Sequence, residues 1–307
     1  MKKLLLPIFL FNILASTAQQ TLQEKLGYSK NSKLLIIHAD DLGVSHSENA
    51  ASIFAMEKGS VSSASIMVPC PWFPEIAAYA REHPKADLGL HLTLTSEWKY
   101  FKWGPVFAKE KVPGLVNKNG FLFSDVDSMR NSSNPAEVEK ELRAQIERAK
   151  SFGIDITHLD SHMAALFGSE EYLKVLIKLG REFKVPVLLS KTGFRSVLNA
   201  DLDSFVNEKD VLLDNIYTAN PQDFKNGMEN YYTGIFKSLL PGVNIILLHA
   251  AFDDREMQAV TIDHPDWGAA WRQADVNFFT GNNCKKLLQE NNIHVITWRE
   301  IRDKLLR

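Results

Sequence analysis

Four short apolar runs in this chain each end in histidines or aspartates, and that recurrence constrains the fold more than any other feature. The first reads Lys33-Leu34-Leu35-Ile36-Ile37-His38-Ala39-Asp40-Asp41-Leu42-Gly43. The second is Ala86-Asp87-Leu88-Gly89-Leu90-His91-Leu92-Thr93-Leu94-Thr95, and the third is Ile154-Asp155-Ile156-Thr157-His158-Leu159-Asp160-Ser161-His162. The fourth is Val243-Asn244-Ile245-Ile246-Leu247-Leu248-His249-Ala250-Ala251-Phe252-Asp253-Asp254. An uninterrupted apolar run bounded by polar residues is what a strand buried on both faces looks like. If the strands are parallel, their C-terminal ends converge on one face of the sheet, where α/β folds build their sites. Asp40 and Asp41 repel each other there unless a cation or a shared proton compensates. The pair therefore points to a metal site with an acid/base carboxylate beside it. Taken alone, the segment fits a solvated Asp-Asp-Leu-Gly turn equally well.

The rest of the chain alternates helix and strand. Strands are predicted over 34–39, 64–68, 87–92, 156–159, 185–189, 211–215, 244–248 and 293–297. Helices are predicted over 47–58, 73–82, 135–152, 170–183, 222–240, 266–280, 283–289 and 298–305. Ser45 or Ser47 caps the first helix and Gly59 stops it. Asn134 and Pro135 open the long one over 135–152. Seven to eight largely parallel strands separated by helices make an α/β fold with a barrel-like sheet. No glycine-rich phosphate loop follows any strand, which argues against nucleotide binding. A net charge of −2 without a basic stripe argues against nucleic acid.

Residues 1–18 read as a secretory signal peptide. Met1-Lys2-Lys3 is basic, Leu4 to Leu14 is apolar, and Ser16-Thr17-Ala18 offers small residues for cleavage. The apolar stretch is too short to span a bilayer. The mature protein is expected to be exported, periplasmic or secreted, with no membrane contact after signal removal. Residues 19–32 read as a linker and 33–307 as a single domain with a long loop insertion over 96–134. Two cysteines, Cys70 and Cys284, exclude a disulfide scaffold and any cysteine-based metal spacing. Export permits one bridge between them, although two separate buried thiols is the expected arrangement.

The 96–134 loop holds Trp98, Tyr100, Phe101 and Trp103. Loops of this length in compact domains tend to be functional lids. Exposed indole and phenol rings suit sugar rings, so Trp98 and Trp103 are candidate substrate contacts; fastening the loop to the core is the alternative. In the third run, His158 and His162 would lie roughly 13 Å apart along a continuous strand, too far to share one metal. His162, beyond the strand end, is the better ligand candidate. His158 is expected to be a buried neighbour with satisfied nitrogens, and Asp160 can hold a ligand histidine by its second nitrogen.

With these segments in view, the chain resembles the YdjC-like carbohydrate deacetylases, the group containing diacetylchitooligosaccharide deacetylase. The resemblance rests on His38-Ala39-Asp40-Asp41-Leu42-Gly43, Gly59-Ser60-Val61-Ser62-Ser63-Ala64-Ser65 and Gly89-Leu90-His91-Leu92-Thr93-Leu94-Thr95. It continues through Glu141-Leu142-Arg143-Ala144-Gln145-Ile146-Glu147 and Thr157-His158-Leu159-Asp160-Ser161-His162. It implies an irregular (β/α) barrel of the glycoside hydrolase/deacetylase-like kind. It also implies one divalent metal ion, Zn²⁺, Mg²⁺ or another transition metal, held by Asp41, His91 and His162. Asp40 would be the general base. His249 would be the catalytic acid near the leaving group, with His264 as second candidate and Asp253 or Asp254 as its carboxylate neighbour. The chain departs from its relatives at Met163-Ala164-Ala165-Leu166-Phe167, where they carry further histidines, and at His249-Ala250-Ala251, where they carry His-Pro-Gly.

The function implied is removal of N-acetyl groups from amino-sugar oligosaccharides or glycans by metal-activated water, with an N-acetylated carbohydrate as substrate. The alternatives are metal-dependent hydrolysis of another amide or ester bond, and a non-catalytic exported carbohydrate-binding protein. The oligomeric state is not legible.

Overall fold

The computed structural model describes residues 20–193 and 204–307. The expected signal peptide lies outside the described residues. Among the described residues, seven parallel strands form one curled sheet: β1 (Lys33–Leu42), β2 (Ser63–Ile66), β3 (Leu88–Leu92), β4 (Leu159–Ser161), β5 (Asn215–Thr218), β6 (Gly242–Leu248) and β7 (Ile293–Val295). Their order is β4-β3-β2-β1-β6-β5, with β7 also paired to β1. Single bridges from Leu159 to Val187 and from Ser190 to Leu213 carry the ring onward from β4 to the residues just before β5. The result is an irregular (β/α) barrel. The strands expected over 185–189 and 211–215 shrink to these bridges. Pro186 has no N–H to donate to a ladder, and the Asp214 carboxylate accepts the Val243 N–H at 2.8 Å.

β1 is central, and its two faces divide cleanly. Leu35, Ile37 and Ala39 pack outward with Ala51 and Ala55 of the helix His46–Lys58. Leu34 and Ile36 point into the barrel with Val243, Ile245, Leu213 and Trp298. The same period of two carries His38 and Asp40 upward on the inner face. In register with them, β6 presents Val243, Ile245 and Leu247. The barrel interior is thus apolar at its N-terminal end and polar near the strand ends on the β1 to β4 side. Room for that polar half comes from Gly89 of β3, where a Cβ would sit 2.3 Å from the His158 ring.

Other boundaries moved for local reasons. The helix expected over 222–240 is two, Pro221–Asn226 and Met228–Ser238, broken at Gly227 with φ 97°. The helix expected from 266 begins at Ala269. A helix at Arg255–Val260 and another inside the loop, Val126–Ser132, went unread. Residues 20–32 are not a loose linker: Leu26 is 1% exposed in the lower core. Tyr28 Oη also donates to Glu300. The long loop is no free lid either. The buried Glu141 carboxylate accepts the Val106 and Phe107 N–H groups at 2.9 and 2.8 Å, tying the loop to the helix Pro135–Ser151. Cys70 and Cys284 are separate buried thiols.

Candidate metal centre and active site

In a regular strand Asp40 and Asp41 would point to opposite faces. Here Asp41 adopts φ 71°, and the β1–β2 register shifts between Ala39 and Leu42. Aspartate is one of the few residues that tolerates this conformation. The local break turns both carboxylates into one cavity of about 1000 Å³ at the C-terminal end of the barrel. His91 at the end of β3, His162 just past β4 and His249 just past β6 line the same cavity. The sharp turn that brings His162 in runs through Met163 and Ala164, at φ 51° and 52°.

Asp41, His91 and His162 converge. His91 Nε2 and His162 Nδ1 stand 3.5 and 3.4 Å from Asp41 Oδ1. That oxygen is buried and accepts no hydrogen bond. A buried, unpartnered carboxylate oxygen is costly, and one faced by two imidazole nitrogens is what a cation would occupy. The residues therefore fit a divalent ion, and the three can hold one. Each ligand candidate is also held from behind. His91 Nδ1 lies 2.7 Å from Asp160 Oδ1, His162 Nε2 lies 3.0 Å from Glu97 Oε2, and Arg272 Nη2 donates to Asp41 Oδ2 at 3.0 Å.

Burial opposes ionisation of Asp41, but Arg272, His162 and His249 outweigh it and hold the carboxyl well below its usual range. Burial pulls His91 and His162 down. Asp160 and Asp40 more than reverse this for His91, and Glu97 and Asp41 push His162 up to about 10.

Asp40 sits beside this cluster. Its Oδ1 lies 3.0 Å from His38 Nε2 and accepts from Ser65 Oγ at 3.3 Å. His38 is fully buried and also reaches Asp160 Oδ2 at 3.1 Å. Burial disfavours its charge, yet the bonds to Asp160 and Asp40 raise it to about 10. His249 Nε2 is 3.9 Å from Asp40 Oδ2 and 4.0 Å from Asp41 Oδ2. Burial lowers its pKa below the ordinary histidine value, against the pull of Asp41. The carboxylates facing His249 are thus Asp40 and Asp41. Asp253 and Asp254 face elsewhere, towards Gln258 and Ser47.

The remaining expected residues separate. Asp160 holds a ligand-candidate histidine by its second nitrogen. His158 is buried with Nδ1 2.9 Å from Thr157 Oγ1; against expectation its Nε2 makes no hydrogen bond, lying 3.7 Å from Asp160 Oδ2. Its ring stacks on Trp298, which fills the space below. His264 lines the cavity edge-on to Trp98, 5.2 Å between centroids. Trp98 also lines it, 3% exposed, with the Arg272 guanidinium 5.4 Å above its ring. Trp103 does not line the cavity: it is buried in the core and donates its indole N–H to Thr95 O at 2.9 Å, the arrangement expected if it fastens the loop.

Glu97, Glu48 and Arg272 were missed. Arg272 reaches both Asp41 and the buried Glu48. A charged residue inside an amphipathic helix ordinarily marks a solvated face, so nothing in the local pattern distinguished it. Glu97 had a weak signal, lying just beyond the run that ends at Thr95.

The YdjC-like protein family matches residues 34–290. A carbohydrate deacetylase of Thermus thermophilus is 28% identical over 291 residues, covering 92% of this chain and 99% of its own. One from Brevibacillus brevis is 36% identical over 153 residues, 50% of this chain and 58% of its own. The crystal structure of an Enterococcus faecalis protein superimposes with a TM-score of 0.72 at 23% identity, covering 88% of this chain and 99% of that one. That last likeness speaks to the fold alone.

Proposed function

The chain belongs to the YdjC-like protein family, and from that membership and the Asp41 cluster we propose that it is a metal-dependent hydrolase that removes N-acetyl groups from amino-sugar carbohydrates. The observation that carries the reading is the buried, unpartnered Asp41 Oδ1 faced by two imidazole nitrogens. Full-length similarity to a carbohydrate deacetylase supports the substrate class.

Asp41, His91 and His162 would hold one divalent ion, and the two imidazoles favour a transition ion such as Zn²⁺ over Mg²⁺. When bound, such an ion supplies Lewis acidity towards the amide carbonyl and lowers the pKa of water. Asp40 takes the proton of the attacking water, held in orientation by His38 and Ser65. His249, half-buried and with its pKa lowered by desolvation, has Nε2 3.9 Å from Asp40 Oδ2. It relays that proton to the departing amine. Asp160 and Glu97 keep His91 and His162 turned towards Asp41.

The apolar wall at Met163, Ala164 and Phe167 favours one second reading, hydrolysis of another amide or an ester. The adjacent carboxylates support catalysis over a sugar-binding module, which gains little from two neighbouring acids. The basic and apolar segment before Gln19 supports export. No helix among the described residues is long and apolar enough to cross a membrane. Metal content combined with amine and acetate release from N-acetylated oligosaccharides, for wild type and Asp41→Ala, tests the proposal. Metal-independent turnover, or turnover of aryl esters alone, would replace it.

A further inference from the structure

Trp267 lies on the wall of the cavity that holds Asp41 and is 37% exposed. One side of its ring is backed by Trp271, 5.1 Å between centroids and 23° between planes. Trp271 is itself buried and stacks on Phe224 at 5.0 Å. Three rings thus form a ladder from the half-buried Phe224 through the buried Trp271 to Trp267 at the cavity.

The backbone beneath this ring is unusual. Trp267 has φ 56°, a left-handed conformation that a bulky residue rarely adopts. Its neighbour Gly268 has no space for a side chain, since a Cβ there would lie 2.3 Å from His264 O. The Trp267 carbonyl accepts from Arg272 Nε at 2.7 Å. The same guanidinium holds Asp41 through Nη2. Strain of this kind persists only where the surroundings over-determine it, and it clusters at functional sites. Packing alone would bury an indole, whereas this turn holds one partly open on the wall of the cavity that also holds Asp41.

We propose that Trp267 is the stacking platform for a pyranose ring of the substrate, on the face left open towards the cavity. This deepens the carbohydrate reading above and rests on it. An indole face matches the C–H face of a sugar ring, while polar neighbours take the hydroxyls. Asp266 and His264 line the same cavity on either side of Pro265 and supply such groups. Arg272 then couples the platform to Asp41 and sets the distance between ring and metal cluster. The platform is therefore not on the 96–134 loop, where Trp103 is core and Trp98 is covered by Arg272.

The test uses the metal-loaded full chain and its Trp267→Ala and Trp267→Phe variants, with Tyr100→Ala as a control at a 73% exposed ring. N,N′-diacetylchitobiose is titrated by calorimetry and tryptophan fluorescence, and KM and kcat are measured on the same sugar and on an aryl acetate. Trp267→Ala should raise Kd and KM about tenfold or more, the loss expected of an anchoring aromatic. Trp267→Phe should recover most of this, and the aryl acetate, having no sugar ring, should lose less. Unchanged Kd in both Trp267 variants overturns the proposal. So does an equal loss on both substrates accompanied by a lowered melting temperature, which would make Trp267 a prop for Trp271. Wild type that binds chitobiose through Trp267 but releases no acetate would keep the platform and sink the deacetylase reading. Acetate release with KM insensitive to Trp267 would do the reverse.

Discussion

His91 Nδ1 stands 2.7 Å from Asp160 Oδ1, and this contact decides which nitrogen of the imidazole faces Asp41. With Nδ1 donating to the carboxylate, Nε2 is the free nitrogen, 3.5 Å from Asp41 Oδ1. Asp160→Asn removes the charge that fixes this arrangement while keeping the shape. Metal affinity should fall about 10–100-fold, the range for partners that orient a ligand. Chelator competition measures it; an unchanged affinity would show that His91 needs no such orientation.

The three converging side chains should behave as one site. Asp41→Ala, His91→Ala and His162→Ala should each lose most of the bound metal by elemental analysis. Because neighbouring carboxylates raise both histidines, with His162 near 10, each must shed a proton before it can ligate. Affinity should therefore strengthen as pH rises from 6 to 8. Calorimetry in buffers of different ionisation enthalpy should register proton release, and binding indifferent to pH would remove the histidines from the ligand set.

Asp40→Asn should keep the metal and lose turnover by about 10²–10⁴, as for a general base. Equal metal loss in Asp40→Asn and Asp41→Asn would mean that the two carboxylates do not divide their labour as proposed.

His249→Ala should retain metal, lose most amide hydrolysis, and lose less on an activated aryl ester whose leaving group needs no proton. Parallel losses on the two substrates would assign His249 to something other than the leaving group.

Asp155 binds Arg302 through both its oxygens, at 2.8 and 2.9 Å, and also meets Arg299. Burial opposes its ionisation, but those hydrogen bonds lower its pKa to about 2. The folded value lies below the unfolded value of about 3.9, so its stabilising contribution is complete above that value and disappears as pH falls towards 2. Asp155→Asn should lower the melting temperature at pH 7. The gap from wild type should close between about pH 4 and 2. A gap constant with pH would mean that the pair contributes through shape alone.

Much of this was readable in the chain because it is local. Leu34 to Ile37 is apolar without a break, so a strand buried on both faces followed directly, and β1 contains that run. Pro135 after Asn134 marked a helix start because a proline lacks the N–H that a first turn leaves unused, and Asn134 does cap that helix. His91 and Asp160 were legible as site candidates because each ends an apolar run.

What the local pattern could not contain is the partner across the barrel. Nothing near Arg272 in the sequence indicates that its guanidinium reaches Asp41, 231 positions away. Trp103 and Trp267 look equally suited to a sugar by composition, yet one packs in the core and the other opens on the cavity. That difference depends on which surface each ring meets after the chain closes. The adjacent aspartates make the same point. The sequence by itself determined that two carboxylates sit side by side at the end of a buried strand. Only the tertiary structure decided that they share a cavity, because φ 71° at Asp41 and a register shift against β2 undo the alternation that strand geometry would otherwise impose.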